Sequence, residues 1–144
     1  ARSLAIACGK FGMRFVLSAP VNYELPQDEV DQIRKAVPDL DFELVRDAQW
    51  AVKSADCIYT DTWISMGQEE QKAQRVKDFN GYQVNDALLA AAPRHAVVLH
   101  CLPAYRGLEI TEEVMNSPKS LVFPEAENRL HFQKGLLAVL MGGK

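Results

Sequence analysis

Apolar positions along the chain fall into short runs separated by polar, amphipathic stretches. Residues 14–18, 42–45, 55–60, 96–99 and 121–123 read as strands, because each is a compact cluster of β-formers bounded by turn residues or proline. Between them the spacing predicts helices. The first covers residues 1–11, with apolar Leu4, Ile6, Ala7 and Phe11 and with Gly12 behind it as a cap. The second covers 25–37, where Pro26 stands near the first turn and Asp28 and Glu29 suit the positive N-terminal dipole. Asp47 is placed to cap a short helix over 48–53. A helix with charges of both signs follows over 68–79, Asn80-Gly81 breaks the chain, and an alanine- and leucine-rich helix runs over 84–92 to Pro93. Thr111 caps a short helix ending at Asn116. From Glu125 a last helix extends to about Met141, and its LLAVLM tail is apolar all round, so it needs packing surface on more than one side.

Five short strands alternating with helices predict a parallel sheet covered on both faces, a single three-layer α/β/α sandwich of Rossmann-like type. Wound domains of this kind usually open on a strand, whereas this chain opens on a helix, so a first strand is expected upstream of Ala1. Composition bounds the function classes. A chain of 144 residues with 48% hydrophobic and 24% charged residues suits one globular domain. The net charge of -3 with scattered basic residues argues against a nucleic-acid partner. The longest apolar segment, 135–141, is too short for a membrane layer of roughly 30 Å, and no basic-apolar signal peptide opens the chain; a cytoplasmic protein is expected. Cys8, Cys57 and Cys101 fit neither a disulfide framework nor a zinc motif. His95, His100 and His131 form no metal-ligand pattern, and no metal is expected.

In a parallel sheet all strands end at one edge, which here receives Ser18-Ala19-Pro20, Asp61, His100-Cys101 and Pro124-Glu125. Asp61 could cap its own loop or hold an ammonium. Ser65 and Met66 read as a turn residue and a core filler, or as the wall of a binding loop in which Gly67 allows close backbone approach. Cys101 could be an inert small hydrophobe or a thiol facing an amine; no nucleophile-base-orienter spacing marks it as an acyl-transfer nucleophile. Arg129, with Glu125 and Glu127 nearby, could form an ordinary intrahelical pair or anchor a carbonyl or phosphate oxygen.

Three stretches together, TDTWISMGQE at 60–69, HCLPAYRG at 100–107 and SLVFPEAENR at 120–129, resemble the aspartate/ornithine carbamoyltransferase family, most closely its ornithine branch. The resemblance covers all 144 residues as the C-terminal, ornithine-binding domain. It implies transfer of a carbamoyl group from carbamoyl phosphate to the δ-amine of L-ornithine, giving L-citrulline and phosphate, with no cofactor and within a homotrimer. By motif, Asp61, Ser65 and the Met66 backbone would bind ornithine. Cys101 would face the δ-amine, the Leu102 carbonyl would accept from the carbamoyl NH2, and Arg129 would hold the carbamoyl oxygen. The family's phosphate-binding Ser-Thr-Arg-Thr motif belongs to an N-terminal domain and does not occur in this sequence. Its asparagine-rich ornithine loop is expected just before Ala1. The resemblance would place the protein in the cytoplasm, or in a mitochondrial or plastid matrix in a eukaryote. The neighbouring readings are a putrescine or other amine carbamoyltransferase, and an amino-acid binding or assembly module without turnover.

Overall fold

A computed structural model describes residues 1–65 and 67–142, and of Glu69 the backbone alone. Helix α1 (Arg2–Lys10) leads to β1 (Phe15–Ser18), α2 (Gln27–Ala36), β2 (Phe42–Val45), α3 (Ala48–Val52) and β3 (Cys57–Thr60). A single 3-10 turn (Glu69–Gln71) opens into α4 (Lys72–Asp78), and α5 (Asp86–Ala91), β4 (Val97–His100), α6 (Glu112–Met115) and α7 (Val122–Met141) complete the chain. Local chemistry fixes several boundaries. The Asp47 carboxylate accepts from the amides of Gln49 and Trp50 at the start of α3, and the Thr111 hydroxyl accepts from Val114 at the start of α6. Gly12 (φ 68°) ends α1 in the left-handed region, as a glycine cap does. Where α1 crosses α2 the fit is close: a Cβ on Gly9 would lie 2.5 Å from Val37 Cγ1.

Four expectations are corrected. The strands do not form one continuous sheet: β1 pairs in parallel with β2, and β3 pairs in parallel with β4, as two separate pairs. The expected fifth strand reduces to one parallel bridge, Ser120 against Val98, and α7 begins already at Val122. Pro124 is the reason both readings are possible. It can close a strand, but its missing N–H and fixed φ also suit the first turn of a helix, where amide groups have no intrahelical partner. Val84 is likewise extended rather than helical. It exchanges backbone bonds with Glu109 and Thr111, and Asn85 caps α5 through Leu88 N at 3.0 Å. Pro26 stands at the N-cap of α2, so the helix begins at Gln27, two residues later than expected.

The Rossmann-like α/β arrangement is retained. Helices α1 and α2 pack on each other and α1 on β1; α3 packs on β1, β2 and α5; α7 packs on β4. The main core cluster gathers Val52, Ile58, Val84, Leu88, Leu89, Val98, Ile110, Val114, Met115 and Val122. It therefore lies around β3 and β4, whose carboxyl ends carry the candidate chemistry. Among the described residues, no helix is long and apolar enough to cross a membrane.

Candidate functional site

The site follows from register. In the β3–β4 pair Thr60 lies opposite His100, so the next residue on each strand, Asp61 and Cys101, emerges side by side where the ladder stops. Their side chains meet: Cys101 Sγ donates to Asp61 Oδ1 at 3.1 Å. The same oxygen accepts from the Thr62 amide at 2.8 Å. Asp61 therefore caps its own loop and also holds the thiol, both through Oδ1, and the residue is exposed.

Burial pushes the Cys101 thiol up, and the Asp61 hydrogen bond and charge push it further, with Tyr59 acting in the opposite sense. Cys101 is thus a protonated donor at neutral pH rather than a thiolate nucleophile. Tyr59 is raised as well, first by burial and then by the charges of Cys101 and Glu125.

A buried network holds the Cys101 loop from behind. The His100 amide donates to Glu125 Oε2 at 3.0 Å, and Leu102 N donates to His100 Nδ1 at 2.9 Å. Since Nδ1 accepts, the ring proton sits on Nε2, which donates to Glu109 Oε1 at 3.2 Å. Glu109 Oε1 also accepts from Tyr105 N at 2.5 Å, and both the His100 and Glu109 side chains are fully buried. These contacts hold Leu102 at φ 56°, a conformation a leucine rarely adopts, before the cis Leu102–Pro103 bond. The strain is offset by the surrounding bonds and by the half-buried Leu102 side chain, which packs against the core cluster.

Cys101 and Leu102 open onto a cavity of about 740 Å³ that Arg106, Phe123, Ala126 and Arg129 also line. Among the described residues Arg129 has no ion-pair partner. Glu125, its expected intrahelical neighbour, is engaged by the His100 amide instead. The Arg129 guanidinium is therefore a directed, permanently charged donor at the cavity wall. On the other side of Asp61, Trp63 and Ile64 are buried while Ser65 is exposed. The Thr62 hydroxyl bonds Ile64, and Ser65 N donates to Gln68 Oε1 at 3.2 Å, so this loop is a folded turn. Met66 lies outside the described residues.

Asp61, Cys101, Leu102 and Arg129 thus share one region, whereas Ser18-Ala19-Pro20 belongs to the other strand pair and is closed off by Arg46. Tyr59 and Glu109 were not singled out from sequence. Period-two alternation in CIYT puts Tyr59 on the face opposite buried Ile58 and Thr60, and an acid between Leu108 and Ile110 was the available sign of a buried partner.

Parallel strands ending in an acid–thiol contact beside a cavity lined by an arginine make this an α/β domain with a candidate ligand site at its strand ends. Residues 1–140 match the family model described as the aspartate/ornithine carbamoyltransferase Asp/Orn binding domain, and the chain belongs to that family. The ornithine carbamoyltransferase of Methanosarcina mazei is 51% identical over 130 residues, 90% of this chain and 42% of that protein. That of Methanopyrus kandleri is 44% identical over 142 residues, 97% of this chain and 46% of that protein. The solved structure of ornithine carbamoyltransferase from Pyrococcus furiosus aligns over 100% of this chain and 47% of its own, with a TM-score of 0.91 and 44% identity. The chain spans about half the length of the curated relatives it matches.

Proposed function

We propose that this chain supplies the ornithine-binding side of an ornithine carbamoyltransferase, which carries the carbamoyl group of carbamoyl phosphate to the δ-amine of L-ornithine. The observation that carries the reading is the Asp61–Cys101 contact, whose Cys101 lines the same cavity as Arg129. The matching half of the site, with its grip on the phosphate, comes from an N-terminal domain, and the complete enzyme is a homotrimer as the resemblance implies.

Asp61 and Ser65 receive the amino-acid end of ornithine, with the Met66 backbone completing that pocket, and Cys101 faces the δ-amine. Only a neutral amine can attack, and a thiol kept protonated adds no negative charge that would hold the amine as its ammonium. The δ-nitrogen lone pair forms the new C–N bond to the carbamoyl carbon. Arg129 stabilises the charge that grows on the carbamoyl oxygen, and the Leu102 carbonyl accepts from the NH2 group. The C–O bond to phosphate then breaks, phosphate leaves with the electron pair, and the nitrogen sheds one proton. Alignment of two bound substrates supplies most of the acceleration. No step calls for a metal or an organic cofactor.

The test is citrulline formation by the full-length protein that carries this chain. Arg129→Met is expected to lower kcat by about a hundredfold, and Asp61→Asn to raise the ornithine KM. Turnover of putrescine but not ornithine would overturn the substrate assignment, and kcat unchanged in Arg129→Met would remove Arg129 from the mechanism.

A further inference from the structure

The loop from Asp61 to Ser65 is tied to the other half of the molecule by side chains that touch none of the groups assigned above. One of its two buried residues, Trp63, stacks on Phe79 with centroids 5.4 Å apart, and Phe79 meets the Tyr23 ring edge-on at 4.7 Å. Arg75 fastens the assembly. Its Nη1 donates to the Trp63 carbonyl at 3.1 Å, its Nε donates to Gln71 Oε1 at 3.1 Å, and its guanidinium carbon lies 5.2 Å from the centre of the Tyr23 ring. The Tyr23 hydroxyl donates to Asp78 Oδ2 at 2.8 Å, next to Phe79.

Tyr23 lies in the segment that leaves β1, whereas Trp63 lies in the segment that leaves β3. The two strand pairs share no ladder, so backbone pairing does not fix the distance between these segments. The Tyr23–Arg75–Phe79–Trp63 group spans it at the edge where Asp61 and Ser65 emerge. A guanidinium that bonds a backbone carbonyl and also rests on an aromatic face is held in direction as well as position. Trp63 is two residues from both Asp61 and Ser65, so a shift of its carbonyl moves both.

We infer that Tyr23 and Arg75 are positioning residues that set the pose of the Asp61–Ser65 loop for the amino-acid substrate, acting through Trp63. The inference rests on the reading of that loop as the ornithine pocket, but its structural half stands without it. Hydrogen exchange on the 144-residue chain tests the structural half. Arg75→Met and Tyr23→Leu are expected to speed exchange across residues 62–68 by about tenfold while β4 amides keep their protection. Unchanged exchange in that loop, or equal loosening of β4, would overturn the strap.

Kinetics in the full-length protein test the other half. Both variants are expected to raise the ornithine KM by about tenfold with kcat within about threefold. Tyr23→Phe, which keeps the ring beneath the guanidinium and loses only the Asp78 bond, should stay near the unsubstituted KM. A kcat that falls with KM unchanged, or a Tyr23→Phe variant as impaired as Tyr23→Leu, overturns positioning through the ring. If the unsubstituted protein makes no citrulline, the functional reading fails, and hydrogen exchange still decides the strap.

Discussion

Both strand pairs end in the same way and come to opposite uses. In each, the residues that follow the last ladder pair lie side by side at the carboxyl edge. Beyond Ser18 and Val45 these are Ala19 and Arg46; beyond Thr60 and His100 they are Asp61 and Cys101. Arg46 Nη1 donates to the carbonyls of Ala19 and Pro20 at 2.8 and 3.0 Å, and its Nη2 donates to Glu24 at 2.6 Å. That clasp spends a strong, multidentate donor on backbone oxygens and closes the edge. The Asp61–Cys101 clasp is a weak thiol donor on one carboxylate oxygen, so an incoming amine can displace or join it at little cost. One edge is closed by its clasp, and the other is held only by a thiol.

The packing behind each clasp differs in the same direction. Val98 in β4 and Ile110 behind it are 0% exposed, whereas every residue of β1 is half-buried. The weak clasp thus rests on the more deeply buried half, the kind of support that a precise site calls for. Removing that support has the largest effect. Glu109→Ala leaves the His100 ring proton and Tyr105 N without their acceptor inside the core, and is expected to destabilise by about 3–5 kcal/mol in urea unfolding. A loss below about 1 kcal/mol would mean that the buried network does not hold the Cys101 loop.

Apolar truncation in the two halves sharpens the contrast. Ile110→Ala should cost about 2–5 kcal/mol through the cavity it leaves, and Leu17→Ala in the half-buried β1 about 1 kcal/mol. Equal losses from the two would show that the halves share one core.

Local signals were legible in the sequence where one side chain decides the outcome within a few residues. Asp47 and Thr111 cap the helices expected of them, and Gly12 ends α1, because each acts on amides or dihedrals next to itself. Pairing was less legible. Nothing near Ser120 tells an apolar strand from a single bridge before a helix, since Val122 and Phe123 satisfy either and Val98, more than twenty positions away, decides. The separation into two ladders is likewise a matter of which edges meet. At the site, Asp61, Cys101 and Arg129 stood out as chemically capable residues at strand or helix ends, but the register that joins the first two is long-range. Glu109 was missed because its importance comes from a partner nine positions back on β4, and Tyr59 because alternation gave it a face without naming its neighbours.

The open clasp makes a chemical prediction of moderate size. Cys101 is held above its ordinary value of 9.0 by burial and then by Asp61, so at pH 7–8 it is almost wholly the slow-reacting thiol. Asp61→Asn removes the carboxylate, lowers the thiol pKa and should speed alkylation of Cys101 by iodoacetamide several-fold at pH 8, followed by peptide mass spectrometry. Cys8 and Cys57 serve as internal references, since neither bonds Asp61. A Cys101 rate that does not change would show that the carboxylate does not hold the thiol protonated.

The closed clasp makes the smallest and most specific prediction, in acid. Arg46 holds the Glu24 carboxyl at about 2, against an ordinary value of 4.5. A depressed carboxyl stabilises the folded state above its unfolded pKa, and that contribution is lost as pH falls through the folded value. The window is therefore pH 4.5 down to about 2, below the range where histidine titration contributes. Glu24→Gln should lower stability near pH 6 and flatten its decline between pH 4.5 and about 2, so that the two proteins converge in strong acid. Because the pair is partly exposed, about 0.5 M salt should shrink the difference. Denaturant titrations at half-unit pH steps read this directly. Parallel curves with a constant offset would mean that Glu24 acts through packing, and that the Arg46 clasp is held by the Ala19 and Pro20 carbonyls alone.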